Sequence, residues 1–137
     1  MYIHSRKRIR KVYKALLDRL PNTYPQARLV VHSSTQKLRE YYTKTEGKES
    51  GDPPCAYCDV EGWTIHVPVD LDFSFRGTMP RRFAEIMLHE IGHLYVHQKY
   101  GEDDPRWDDH ETAEKYADRF AARWIKRIDK EGFFKNL

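Results

Sequence analysis

The chain has 137 residues, 33% of them charged, and 24 Lys and Arg against 21 Asp and Glu leave a formal net charge of +3. That length supports one domain with a core, and the mild positive balance excludes a dedicated polycation, so nucleic acid is not expected as a partner. No apolar run approaches the roughly 18 residues of a membrane span, the basic stretch Met1 to Lys14 has no apolar segment behind it, and two cysteines cannot build a disulfide framework. The expectation is a single cytoplasmic domain over 1–137 with no membrane attachment.

Ile9, Val12, Tyr13, Leu16, Leu17 and Leu20 recur at helical spacing behind Ser5, a residue suited to capping, and Pro21 ends the pattern. The other face of this first helix carries Arg6, Lys7, Arg8, Arg10, Lys11 and Lys14, a composition that reads as a solvated face. Gln26 to His32 is a short β-branched stretch between Pro25 and Ser33-Ser34 and predicts a strand. A second helix is expected from Ser34 or Thr35 to Thr45.

Glu46 to Pro54 is rich in turn formers and predicts a loop. Ala56 to Val60 and Trp63 to Val69 then flank Glu61-Gly62, the pattern of a hairpin. Pro68 has no N–H for a ladder, so the second arm is expected to be an edge strand or to leave the sheet at that point. Cys55 and Cys58 form a C-x-x-C, half of a structural metal site that His66 and one further group would have to complete; free thiols are the expected state.

Asp70 to Met79 reads as a connection. A long helix enters at Thr78 or Met79 before Pro80 and stops at Gly101. Its apolar residues Phe83, Ile86, Met87, Leu88, Ile91, Leu94, Tyr95 and Val96 cover most of the circumference, so the helix is expected in the middle of the domain. A turn over Gly101 to Trp107 follows, and Asp108 or Asp109 caps a last helix to about Lys130. That helix has a stripe of Ala113, Tyr116, Ala117, Phe120, Ala121, Trp124, Ile125 and Ile128.

The long helix contains His89-Glu90-Ile91-Gly92-His93, an H-E-x-x-H. Two histidines four apart lie on one helical face, about 6 Å apart along the axis, and can reach one cation. Glu90 lies beside that cation without ligating it, where a carboxylate can act as general base. A catalytic zinc takes three protein ligands and leaves a fourth position open. Glu114 is the first choice for the third, with Glu111, Asp108, Asp109 and His110 as rivals near the same helix start. Asp118, one turn beyond Glu114, suits a carboxylate that orients a ligating imidazole. His97 lies about 12 Å from His89 along the axis, too far to share the ion, and reads as structural.

The run H89-E-I-G-H93-L-Y-V-H97 with E114-K-Y-A-D-R-F-A-A122 resembles the gluzincin metallopeptidases, and within them the ImmA/IrrE-type peptidase domain; in size the chain is similar to the minigluzincins. The resemblance covers Met79 to Trp124. Members often continue with a Leu-Met-Pro-like stretch where this chain has Arg123-Trp124-Ile125-Lys126. The resemblance implies Zn2+ held by His89, His93 and Glu114, with Glu90 as the catalytic base. It also implies a zincin-like α+β fold, in which a small, mainly antiparallel sheet packs on the central H-E-x-x-H helix with further helices. An edge strand, expected near Trp63 to Val67, would hold an extended substrate. The implied activity is endopeptidase cleavage of a protein or peptide, a transcriptional repressor being the family's analogy. The competing expectation is a non-catalytic zinc-containing module that binds protein or nucleic acid.

Overall fold

The computed structural model describes residues 4–47, 54–71, 79–101 and 109–135. Helix α1 (Arg6–Arg19) starts at Ser5, whose side chain accepts from the Arg8 N–H. Strand β1 (Arg28–His32) and helix α2 (Thr35–Glu46), capped by Ser34, follow. Strands β2 (Tyr57–Asp59) and β3 (Thr64–Pro68) form the hairpin, then come α3 (Met79–Tyr100) and α4 (His110–Lys130), and Phe133–Lys135 forms a 3-10 turn. Helix boundaries follow the sequence reading closely because the caps are local: Asp109 starts α4, and Gly101, at φ +84°, ends α3 with its N–H on the His97 carbonyl. Much of the Glu46 to Pro54 loop and of the connections after Asp70 and Gly101 lies outside the described residues.

The fold is α+β, with four helices and a three-stranded sheet in the order β1-β3-β2. Two expectations need correction. The sheet is mixed and not mainly antiparallel, since β1 pairs parallel with β3 (Leu29 opposite Ile65, Val31 opposite Val67) while β2 pairs antiparallel with β3. In consequence β3 is the central strand, and Trp63 to Val67 offers no edge to a substrate. Pro68 is tolerated because it stands at the end of β3, and the next residue, Val69, donates its N–H to the His32 carbonyl.

The two edges differ. Along β1, α1 covers the outer carbonyls: Arg6 donates to Val31, Arg10 to Leu29 (3.2 Å) and the Tyr13 hydroxyl to Ala27. Two of the seven cationic residues of α1, Arg6 and Arg10, are therefore structural, satisfying acceptors that an open edge would leave to solvent or to another chain. Strand β2 is the other edge and runs beside α3.

Ile65 and Val67 of β3 point into the main core with Ile9, Leu16, Phe83, Met87, Leu88, Ile91 and Leu94, each essentially inaccessible to solvent. Each such side chain contributes about 1.5–3 kcal/mol. Phe133 closes the core beside the end of α4. On the opposite face, under α2, β3 presents His66. Its Nδ1 lies 2.9 Å from His32 Nε2, Tyr57 stacks on its ring (centroids 4.4 Å, 7° between planes), and Tyr41 covers it from α2 at 5.3 Å. This answers the question of Cys55, Cys58 and His66: His66 belongs to the α2 face, Cys58 faces the other way, and both thiols are free.

Burial, reinforced by His32, pushes His66 down to about 4. Between the ordinary imidazole value near 6.5 and about 4, the unfolded chain binds a proton that the folded one refuses, so stability falls as pH falls through that window. Urea unfolding at pH 7.5 and 5.0 should differ by about 2 kcal/mol from this group, and His66→Phe should flatten the difference. An unchanged pH dependence in the variant would assign it elsewhere.

Candidate metal centre

The site is built where α3 and α4 approach most closely. Gly92 permits the approach, since a Cβ there would sit 3.1 Å from the Ala117 Cα and 3.1 Å from the Phe120 Cβ. The helices run antiparallel, as the pairs Arg81–Asp129, His89–Asp118 and His93–Glu114 show. Gly92 therefore lies opposite Ala117, and the carboxylates that flank Ala117 on α4 reach the histidines that flank Gly92 on α3.

Three donor atoms converge there. His89 Nε2 lies 3.2 Å from His93 Nε2 and 3.1 Å from one Glu114 oxygen, and His93 Nε2 lies 2.9 Å from the other. Bonds of 2.0–2.1 Å to a tetrahedral ion separate its ligands by about 3.3 Å, close to these spacings. The Nδ1 of His89 faces Asp118 at 2.9 Å. In the neutral ring that nitrogen carries the hydrogen for the carboxylate, so Nε2 turns a lone pair toward the carboxylate of Glu114. Acceptor then faces acceptor, an arrangement that needs a cation at its centre, either a proton or a metal ion. The donor set, two imidazole nitrogens and a carboxylate oxygen, fits a borderline divalent ion such as zinc.

Of the rival third ligands, Asp109 is occupied as the cap of α4, accepting from the Glu111 N–H and the Thr112 hydroxyl, and Glu111 pairs with Lys115 at 3.6 Å. Asp108 lies outside the described residues. Among the described residues the convergent group is His89, His93 and Glu114, and neither His110 nor His97 joins it. His97 lies against Trp63, with ring centroids 6.3 Å apart.

Glu90 turns from the three donors toward the sheet and is 7% exposed. Desolvation by burial pushes its carboxyl up to about 7, with His89 beside it and hydrogen bonding from Cys58 acting in the opposite sense. Burial also raises the Cys58 thiol and, with His89 adjacent, lowers His93. Cys58 is the neighbour that sequence reasoning missed. Alternation along β2 carried the signal: Tyr57 faces α2, so the next residue faces α3.

A cavity of about 1180 Å³ opens from His89, Glu90 and Asp118 over the α3–α4 seam. Ile86, Ala122 and Ile125 line its floor, and Cys55 and Ala56, just ahead of β2, lie on its far side. The Cys55 thiol accepts from Arg39 Nη2 at 3.2 Å. No protein-family model, curated protein or solved structure matches this chain, so the functional reading rests on this geometry.

Titration of metal-free protein with Zn2+ should show one ion per chain. His93→Ala or Glu114→Ala should remove binding, and Asp118→Ala should weaken it about 10–100-fold; affinity unaffected by Glu114→Ala would exclude the three-donor site. Gly92→Ala gains up to about 1 kcal/mol of helix propensity but overpacks the seam at a typical cost of 1–3 kcal/mol, so a lowered melting temperature is expected.

Proposed function

We propose that this protein is a zinc-dependent endopeptidase of the gluzincin type, with a zincin-like arrangement of sheet and active-site helix. His89, His93 and Glu114 hold the ion and Glu90 is the general base. The observation that carries the reading is the pairing of a three-donor cluster with a buried, non-ligating glutamate at the head of an open cavity. Among the described residues no fourth His, Cys, Asp or Glu completes the cluster, which favours a catalytic centre over a closed structural one.

When bound, zinc supplies Lewis acidity that polarises a peptide carbonyl and acidifies water. The protein's own groups do the rest. Glu90 takes the proton of the attacking water and returns it to the departing amine, and its burial raises its affinity for protons above that of an exposed carboxylate. Asp118 fixes the His89 ring so that Nε2 points at the ion. The substrate is a protein or peptide lying extended in the cavity, with β2, the edge beside Glu90, as the strand on which it adds main-chain hydrogen bonds.

Glu90→Gln should lower cleavage of a peptide library about 100- to 10,000-fold while zinc stoichiometry stays at one per chain. Persistent turnover in that variant, or no cleavage of any peptide by the zinc-loaded wild type, would refute the peptidase reading and leave a zinc-containing binding module.

A further inference from the structure

The whole-chain charge of +3 conceals a strong asymmetry. Residues 1–32 contain eight Lys and Arg against one acid, Asp18, a balance of +7; residues 33–137 contain the remaining sixteen against twenty, a balance of −4. The structure sorts these cations. Arg6 and Arg10 are turned onto β1 carbonyls, and Arg19 pairs with Glu131 at 3.6 Å and lies over the Phe133 ring. Arg8 is half-buried and Arg28 stands on β1, whereas Lys7, Lys11 and Lys14 are all exposed and spaced i, i+4, i+7 on the side of α1 opposite Ile9, Val12 and Leu16. None of the three is ion-paired with a described carboxylate, although ion pairs occur on every other helix.

We propose that this lysine face of α1 is a docking surface for the phosphate backbone of duplex nucleic acid. The stripe is about 10 Å long, and duplex DNA presents about six phosphate charges over that length. The composition of the face selects among polyanions. A protein interface is centred on apolar and aromatic groups and depleted of lysine, yet the exposed large hydrophobic residues among those described are Tyr41 and Tyr100, on α2 and α3. Anchoring on a membrane calls for an apolar face to insert, and the apolar face of α1 is buried in the core. Backbone recognition needs only positive charge held in register. It is independent of sequence, weak and strongly dependent on salt.

The test is fluorescence anisotropy of a labelled mixed-sequence DNA duplex with the full chain across a salt series. The wild type should bind at low salt, with log affinity falling against log salt at a slope near −3, about 0.9 for each lysine. Lys7→Glu with Lys11→Glu and Lys14→Glu should weaken binding at least about 10-fold and flatten the slope. Reversing Lys37, Lys44 and Lys115 changes net charge equally and, at the upper end of the series near about 0.15 M, should cost less than about threefold, since charge beyond about 8 Å is screened there. A Lys→Gln set at 7, 11 and 14 covers any folding defect of the reversed variant, with unfolding curves as the check. The proposal is overturned if the duplex does not bind at low salt, if both triple reversals weaken binding equally, or if vesicles rich in phosphatidylserine compete for the face more strongly than DNA. Peptidase activity enters none of these readouts.

Discussion

The close approach of α3 and α4 at Gly92 is the constraint on which the centre depends. A mid-helix glycine costs about 1 kcal/mol relative to alanine, and here the missing Cβ lets the Ala117 backbone and Phe120 come against α3. Carboxylates have short reach. With the helices spread by the width of a methyl group, Glu114 would not span both histidines, and Asp118 would lose His89. The stretch His89 to His93 thus contains, besides two of the converging side chains and the buried Glu90, the space that admits the second helix. Tyr24 reinforces the seam, its ring lying 4.8 Å from Tyr95 and 5.8 Å from Trp124 by centroids, so residues of both helices pack on one aromatic anchor.

Sheet edges make a second constraint, coupled to the first. Three short strands expose two edges, and an uncovered edge invites pairing with another chain. Arg6, Arg10 and Tyr13 close the β1 side. The β2 side stays beside α3, where Cys58 meets Glu90. Much of what looked like a uniformly basic helix is therefore divided between structure and surface, with arginines satisfying carbonyls and lysines facing solvent.

The parts of this architecture legible in the sequence are those specified locally. Ser5, Ser34, Asp109 and Gly101 mark helix ends because caps act within one turn. His89, His93, Glu114 and Asp118 could be picked out because helical periodicity converts spacing into direction, and the structure brings all four together. Strand order was not legible. Alternation shows which face of a strand is buried but carries no information on which neighbour it meets, and the parallel β1–β3 pair is made across α2 and β2. Of the two readings Pro68 allowed, the edge strand fails and the strand end holds: a missing N–H rules out only the hydrogen bond it would have made, and at the last residue of β3 no such bond is required.

The two faces of the sheet show how one short hairpin serves opposite electrostatic ends. On the α2 side, His66 is kept neutral by burial and satisfied by His32, so that layer takes no net charge at neutral pH. On the α3 side, atoms able to ligate a metal are gathered instead: Nε2 of His89, Nε2 of His93 and the carboxylate of Glu114, within 3.2 Å of one another, with Glu90 buried alongside. Such convergence restricts three polar side chains at one point, and the hydrophobic packing of α3 on α4 supplies the energy that holds it together. A core that uses packing energy to hold three candidate ligand atoms around one point has a property expected of a preformed cation site. His32 and His66, 2.9 Å apart, lack it: no described carboxylate joins the two rings, and Tyr41 and Tyr57 cover the pair.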